Sequence, residues 1–151
     1  MTKAAENVIA PDLSARPYET GCERVISASP ATVFRSWTDG MDAWFAAPGT
    51  LTTDVREGGL FFFETRFEGQ RHPHYGRFLR LVEDELIEMT WVNVAGTHGE
   101  ESVVRIELAE QDGGTLVRVR HSGLPDEASR ARHEEAWPHV LAVLDEAIGG
   151  G

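Results

Sequence analysis

Four stretches of the chain alternate between apolar and polar residues with the period of two that a β-strand requires. Successive side chains of a strand point to opposite sides, so each stretch collects its apolar residues on one face. In chain order, these apolar sets are Phe61, Phe63 and Phe67; Ile87, Met89 and Trp91; Val104, Ile106 and Leu108; and Val117 and Val119. The pattern predicts an antiparallel sheet with one dry face and one solvated face.

Turn signals separate these stretches at the spacing of an antiparallel meander. They are five short segments rich in Gly and polar residues, at 56–59, 68–70, 82–85, 95–99 and 111–114. Together with a first strand from Tyr18 to Ser27, they predict about seven strands. Gly58-Gly59 and Gly113-Gly114 each precede a strand, so we interpret them as hairpin turns and not as phosphate-binding loops.

Two short helical segments are predicted between the first strand and the meander. Ser29 is a favourable N-cap, and Pro30 suits the first position of a helix that continues to Trp37. Gly40 interrupts the pattern, and a second short helix or turn follows from Met41.

The C-terminal segment from Asp126 to Ile148 carries apolar residues at helical spacing and predicts a long helix. Its apolar stripe consists of Trp137, Val140, Leu141, Leu144 and Ile148. Pro138 lies within this segment and is expected to kink the helix, since proline removes one backbone hydrogen bond. The stripe supplies the cover that the dry face of the sheet needs.

These elements predict an α+β fold of the helix-grip type. A curved antiparallel sheet of about seven strands wraps around the long C-terminal helix, with two short helices after the first strand. We expect one domain at 18–148, preceded by a flexible tail at 1–17 and followed by a short tail at 149–151. The first tail contains Pro11 and Pro17 and shows no sustained periodicity.

Charge and composition narrow the range of partners. The chain has 151 residues and a net charge of −11, from 25 acidic and 14 basic residues, which opposes binding to nucleic acid or anionic lipid. No stretch approaches the roughly 20 apolar residues of a membrane span, and the N-terminus lacks a secretion-signal pattern, so we expect a cytoplasmic protein. Cys22 is the one cysteine and is interpreted as a buried, inert thiol.

The sequence contains none of the specific catalytic or nucleotide-binding motifs, and we predict no catalytic residue, cofactor or metal. His72-Pro73-His74 places two rings on one side of a strand, but a metal site needs a third ligand that no pattern marks. A polar strand start is the preferred interpretation. His121 falls on the dry face, either as a core histidine bonded to a neighbour or as a polar anchor for a ligand. Tyr75 is a second candidate anchor, although a bulge at Gly76 would change its face.

Aromatic and other large apolar side chains fall on the inward faces of several elements. Most of them are expected to pack the core, but a sheet closed by a single helix often leaves a gap that such side chains line. The candidate ligand-binding residues are Trp37, Trp44, Phe61, Phe63, Tyr75, Phe78, Met89, Trp91, Ile106, Val119, His121, Trp137 and Leu141.

Short motifs in a characteristic order and spacing connect the chain to a known family. They are Ile26-Ser27-Ala28-Ser29-Pro30 with Val33-Phe34, Trp37-Thr38-Asp39, Trp44-Phe45, Gly58-Gly59, Gly69, Gly76, Thr90-Trp91, Gly114-Thr115, His121-Ser122-Gly123, and Trp137 with Leu141 and Leu144. With these motifs the chain resembles the SRPBCC superfamily (START-like, Bet v allergen-like). The nearest branch is the one named after the C-terminal domain of the activator of the heat-shock-protein-90 ATPase.

The resemblance implies the helix-grip fold and a range of functions. The superfamily includes lipid and sterol carriers, polyketide aromatase/cyclases, plant hormone receptors and antibiotic-sequestering proteins. We therefore predict non-catalytic binding of an apolar or aromatic small molecule, lipid-like or polyketide-like, in a cavity between the sheet and the C-terminal helix. Carriage, sensing or sequestration would be its role.

Two alternatives stay open. One is a polyketide cyclase-like enzyme in which His121, assisted by Tyr75 or Glu64, acts as a general acid or base. The other is a protein-interaction module of the co-chaperone type, although no sequence pattern supports a protein partner.

Overall fold

The computed structural model describes residues 8–150 and contains one antiparallel sheet of seven strands. The strands are β1 (Tyr18–Ile26), β2 (Thr52–Thr53), β3 (Leu60–Phe67), β4 (Gln70–Val82), β5 (Leu86–Trp91), β6 (Ser102–Gln111) and β7 (Gly114–Leu124). Their order across the sheet is β1-β7-β6-β5-β4-β3-β2. Each strand from β2 to β7 thus lies beside its chain neighbour, and β1 closes the far edge against β7. The predicted α+β helix-grip fold is confirmed.

The two short helical segments lie where the sequence predicts them. Helix α1 spans Pro30–Trp37, and the side chain of Ser29 caps it by accepting a hydrogen bond of 3.2 Å from the backbone N–H of Thr32. A single 3-10 turn follows at Met41–Ala43. Gly40 ends the first segment and donates its N–H to the carbonyl of Arg35.

A third, four-residue helix interrupts the segment that the sequence assigned to a turn. This helix, α2, spans Val94–Thr97. The side-chain oxygen of Asn93 accepts hydrogen bonds from the backbone N–H groups of Gly96 and Thr97, which would otherwise be unpaired at the start of the helix. The turn prediction at 95–99 is therefore corrected to one helical turn followed by a tight reversal.

The long helix α3 spans Glu127–Ile148, and Asp126 caps it through a 2.8 Å bond from the N–H of Ser129. It continues through Pro138. The predicted stripe is buried at Trp137, Leu141 and Leu144, with partly buried apolar side chains beside them. The helix packs mainly on β1 and, to a lesser extent, on β7. It therefore covers one side of the sheet's inner face and leaves open the end of the β3–β4 hairpin, around Thr65, Phe67 and His74.

The inner face of the sheet carries the core. Register and burial agree with the predicted alternation: Phe61 and Phe63 on β3 pair with Gly76 and His74 on β4, and all four point inward. Gly76 is required here, because a Cβ at this position would lie 2.1 Å from the carbonyl oxygen of Thr90. The pairing is regular at Gly76, so the bulge considered there is absent, and the irregularity in β4 falls between Phe78 and Arg80.

The segment before β1 lies against the domain, with Leu13 packed at Gly123 and Arg16 hydrogen-bonded to the backbone. Arg16 donates to the backbone carbonyls of Gly123 (3.1 Å) and Glu101 (2.6 Å), and the side chain is 17% exposed. Residues 1–7 of the predicted tail, and Gly151, lie outside the described residues. Across residues 8–150, no helix combines the length and apolarity that crossing a bilayer would take.

Candidate functional site

An open groove runs between α3 and the β3–β4 hairpin, on the part of the inner face that the helix leaves uncovered. It has a volume of about 610 Å³, within the range typical of small-molecule sites. Its apolar walls are formed by Trp44, Phe45, Ala46, Ala47, Phe67, Trp91, Ala136, Trp137, Val140 and Val143. We call it the aromatic groove.

A second groove of about 620 Å³ adjoins the first at the start of α3. It lies under α2, and its lining includes Val94 and Ala95 from that helix, Arg132 from α3 and His72 from β4. We call it the loop groove. The two grooves share six lining residues: Thr65, Phe67, His74, Asn93, His133 and Ala136. These residues form the junction between the two grooves.

Aromatic rings form a continuous wall in the aromatic groove. Trp91 and Trp137 lie with ring centroids 5.5 Å apart, and Phe45 stacks near both Trp91 (6.2 Å) and Trp44 (5.3 Å). The indole N–H of Trp44 donates to the carbonyl of Ser36, so its polar atom is already paired. Trp91 and Trp137 are only 2% and 3% exposed, so a ligand in this groove would mainly meet the partly exposed rings of Trp44 and Phe45.

His121 sits behind this wall. The indole N–H of Trp137 donates to its Nδ1 (3.1 Å), which makes Nδ1 an acceptor and places the proton on Nε2. Nε2 then donates to the hydroxyl of Ser102 (2.7 Å), and that hydroxyl donates to the carbonyl of Trp91. Burial, and secondarily His133, lowers the pKa of His121 well below its ordinary value. This neutral histidine fixes the Trp137 ring and lines neither groove.

His74 holds a second neutral ring at the junction. Because the oxygen of the Asn93 amide is occupied by the backbone of α2, its NH₂ group donates to His74 Nδ1 (3.3 Å). His74 Nε2 therefore carries the proton and donates to the hydroxyl oxygen of Thr65 (3.1 Å). Burial, then the neighbouring His72 and His133, lowers the pKa of His74 to about 4. The hydroxyl proton of Thr65 is left free to donate into the groove.

His133 contributes one acceptor atom to the junction. Its Nδ1 donates to the backbone carbonyl of Ser129 (2.8 Å), which leaves Nε2 as an acceptor. Burial lowers the pKa of His133, so the ring is neutral. Gly96 provides the space for this ring, since a Cβ there would lie 2.8 Å from the Cε1 atom of His133. The helix α2 and the start of α3 thus fit together through a glycine and a histidine.

The structure divides the thirteen predicted ligand-binding residues into four groups. Trp44, Trp91 and Trp137 line the aromatic groove. Trp37, Phe61, Phe63, Phe78 and Met89 surround a closed void of about 10 Å³, the lower limit for one water molecule. Ile106, Val119, His121 and Leu141 are buried in the core. Tyr75 is 44% exposed and lines neither groove.

The His72-x-His74 pair does point to one side of the sheet, as the strand parity predicts. His72 pairs with Thr65 and His74 with Phe63, both on the inner face. Among the residues that the structure describes, no three His, Cys, Asp or Glu side chains are grouped so as to hold a metal ion. Cys22 is half-buried, and burial raises the pKa of its thiol.

Sequence reasoning missed the polar residues of the junction. His133 precedes Trp137 by four positions and therefore shares its helix face. This spacing could have identified His133, but the prediction considered only the apolar residues of that face. Asn93 carries a second signal, because an Asn before a short polar segment is a frequent N-cap. The sequence offers no comparable signal for Thr65, whose role depends on the cross-strand partner His74.

The chain is similar to known proteins both in sequence and in fold. The family model described as Activator of Hsp90 ATPase homolog 1-like protein matches residues 27–149. Comparison with curated proteins gives no match. Among solved structures, protein CV1439 from Chromobacterium violaceum is 27% identical, with a TM-score of 0.72 over 87% of this chain and 96% of that chain.

Two further solved structures share the fold at lower identity. CalU16 from Micromonospora echinospora is 24% identical, with a TM-score of 0.67 over 87% of this chain and 76% of that chain. PFC0360w, an HSP90 activator from Plasmodium falciparum, is 17% identical, with a TM-score of 0.68 over 85% of this chain and 94% of that chain. Since the family model covers most of the chain and these structures share its architecture, the chain belongs to the family of Activator of Hsp90 ATPase homolog 1-like proteins.

Proposed function

We propose that this chain binds an apolar or aromatic small molecule in the aromatic groove and holds it without changing it chemically. One observation carries the proposal: a groove of about 610 Å³ whose wall is a connected set of aromatic rings. Burying apolar ligand surface there would contribute about 25 cal/mol per Å². The few polar groups at the junction would orient the ligand, as in most small-molecule sites. Carriage, sensing or sequestration of a lipid-like or polyketide-like molecule fits such a groove.

Two of the buried histidines are unavailable as general bases, whereas His133 keeps a free lone pair on Nε2 at the junction. His121 has both ring nitrogens engaged behind Trp137, and both nitrogens of His74 are bonded to Asn93 and Thr65. A general base needs a free lone pair within reach of the proton it removes. Glu64, the candidate assistant of His121, lines neither groove and lies 3.9 Å from the guanidinium of Arg71.

The neutral fluorophore N-phenyl-1-naphthylamine tests the proposal, because its emission rises when its rings leave water. We expect a Kd of roughly 100 µM or tighter, from about 0.3 kcal/mol per non-hydrogen atom. Ala136 is exposed and lines both grooves, so Ala136→Trp should fill the site without disturbing the core. This variant should weaken binding at least tenfold in a fluorescence titration.

Ala131→Trp is the matched control, since Ala131 is exposed on the same helix and lines neither groove. It should bind the fluorophore as the unmodified chain does, and both variants should melt at similar temperatures. Equal binding by the two variants, or no binding by the unmodified chain, would show that the groove is not the site.

A further inference from the structure

The charged residues that line the two grooves are all cationic. Arg66 lines the aromatic groove, and Arg71 and Arg132 line the loop groove. Among the described residues, no Asp or Glu lines either groove, although the chain has 25 acidic residues and only 14 basic ones. In a protein with a net charge of −11, this makes the groove region a local exception to the overall field.

One of these cations, Arg132, lies at the rim of the loop groove. Arg132, at the start of α3, reaches over α2 and donates to the carbonyl of Ala95 (3.0 Å). This bond leaves further N–H donors of the guanidinium free, since arginine carries five. Arg66 and Arg71 are paired in the β3–β4 register on the face opposite Thr65 and His72, and Arg71 lies 3.9 Å from Glu64, so Arg132 is the cation on the groove side.

Hydrogen-bond donors outnumber acceptors at the junction. Thr65 has its hydroxyl proton free, because its oxygen accepts from His74. The NH₂ group of Asn93 donates one hydrogen to His74 and retains a second. Against these donors and those of Arg132, the side chains supply Nε2 of His133, and Nε2 of His72 in the adjoining loop groove is buried and, among the described residues, unpaired. A ligand group that meets the junction should therefore be rich in acceptors.

From this charge and donor balance, we infer that the ligand is an anionic amphiphile. Its flat apolar body lies against the partly exposed rings of Trp44 and Phe45, and its compact anionic head, such as a carboxylate or sulfonate, lies at the junction near Thr65, Asn93 and Arg132. The inference rests on the proposed function, because it places the ligand in the same groove. It adds the sign of the ligand's charge and the end of the groove that receives it.

Two fluorophores that share one aromatic body test the inference. N-phenyl-1-naphthylamine is neutral, and 8-anilinonaphthalene-1-sulfonate is the same skeleton with a sulfonate. We expect the sulfonate to bind about tenfold more tightly. Arg132→Gln should remove most of this difference in affinity between the two probes. The variant's affinity for the neutral probe should differ from that of the unmodified chain by less than twofold. Raising the NaCl concentration from 50 to 500 mM should weaken binding of the sulfonate probe but not of the neutral probe, because salt screens the attraction between the sulfonate and Arg132.

Two controls assign the effect to the junction. Arg80→Gln makes the same charge change at an exposed position of β4 that lines neither groove, and it should leave both affinities unchanged. Thr65→Val removes the free hydroxyl donor and should weaken binding of the sulfonate probe about fivefold. Thr65→Ser keeps the hydroxyl and should bind this probe as tightly as the unmodified chain.

The possible failures are distinguishable. If the neutral probe binds in the groove and the sulfonate binds no more tightly, the inferred charge is wrong and the proposed function stands. Sulfonate binding that ignores Arg132→Gln or Ala136→Trp would also overturn the inference, because the head would then lie elsewhere. If the neutral probe does not bind at all, the proposed function itself fails.

An anionic head could also belong to a lipid in a bilayer. Co-sedimentation with lipid vesicles distinguishes a membrane lipid from a free small molecule. We expect the protein to stay in the supernatant with phosphatidylglycerol vesicles, since its net charge of −11 repels them. Co-sedimentation that Arg132→Gln abolishes would overturn the assignment to a free small molecule.

Discussion

Trp137→Ala should lower the free energy of unfolding by about 3–5 kcal/mol, the range found for deleting a buried aromatic side chain. Trp137 is 3% exposed, and its ring lies within 5.5 Å of Trp91 and 5.7 Å of His121 between centroids. Removing it would leave a cavity at the helix–sheet contact and an unpaired Nδ1 on His121. Urea unfolding at pH 7 measures the loss, which corresponds to a decrease of roughly 10 °C in melting temperature.

Trp137→Phe is the matched variant, because it keeps an aromatic ring and removes the indole N–H. It should cost less, about 1–3 kcal/mol, mainly because a buried acceptor on His121 is left unbonded. A loss below about 1 kcal/mol for Trp137→Ala would contradict the account, since it would mean that the helix–sheet contact does not depend on this ring.

Lowering the pH from 7 to 5 should destabilise the protein by at least about 2 kcal/mol through its buried histidines. In the folded chain, burial and neighbouring histidines lower the pKa of His74 to about 4, whereas in the unfolded chain it returns to about 6.5. The unfolded chain therefore binds more protons between these two values, and stability falls as the pH falls through this window. The lowered pKa values of His121 and His133 act in the same direction.

Urea unfolding at pH 7 and pH 5 checks this expectation. The range stops at pH 5 because the carboxylates with lowered pKa values, such as Glu101, are protonated at lower pH. His74→Phe keeps a ring against Phe63 and removes the titration, so the difference between the two pH values should shrink by about 2 kcal/mol. His98 is exposed with a left-handed backbone, and His98→Asn should leave the difference unchanged. Equal differences in all three proteins would contradict the assignment to His74.

Strand parity predicted the sheet correctly because its pattern is local. A slip of one residue in β3 would turn Phe61 and Phe63 to solvent, so their burial fixes the register. The long helix was predictable for the same reason, since Asp126 marks its start and Leu141 and Leu144 define its buried face. Both predictions required only the neighbours of each residue in the chain.

The position of the groove could not be predicted in the same way. Parity places Met89, Ile106 and Trp91 on one inner face, but only Trp91 reaches the groove. The difference arises because α3 packs on β1 and β7, so that the open space lies at the opposite side of the sheet. The position of α3 on the sheet is set by the packing of the whole helix, and no local sequence pattern encodes it.

The role of a polar residue depended on contacts between distant parts of the chain. His121 and His74 both point inward, yet one is sealed behind Trp137 and the other borders the groove. Tyr75 points outward because the inward positions of β4 are taken by His74 and Gly76. These assignments rest on cross-strand partners, which become visible only when the strands are paired.

The central claim is that the aromatic groove holds the ligand, and intermolecular nuclear Overhauser effects with bound N-phenyl-1-naphthylamine test it most directly. We predict contacts from the naphthyl protons to the methyl groups of Ala136 and Val140 and to the indole of Trp44, which line the groove. Contacts confined to exposed apolar residues outside it, such as Leu60 and Phe62, would contradict the claim.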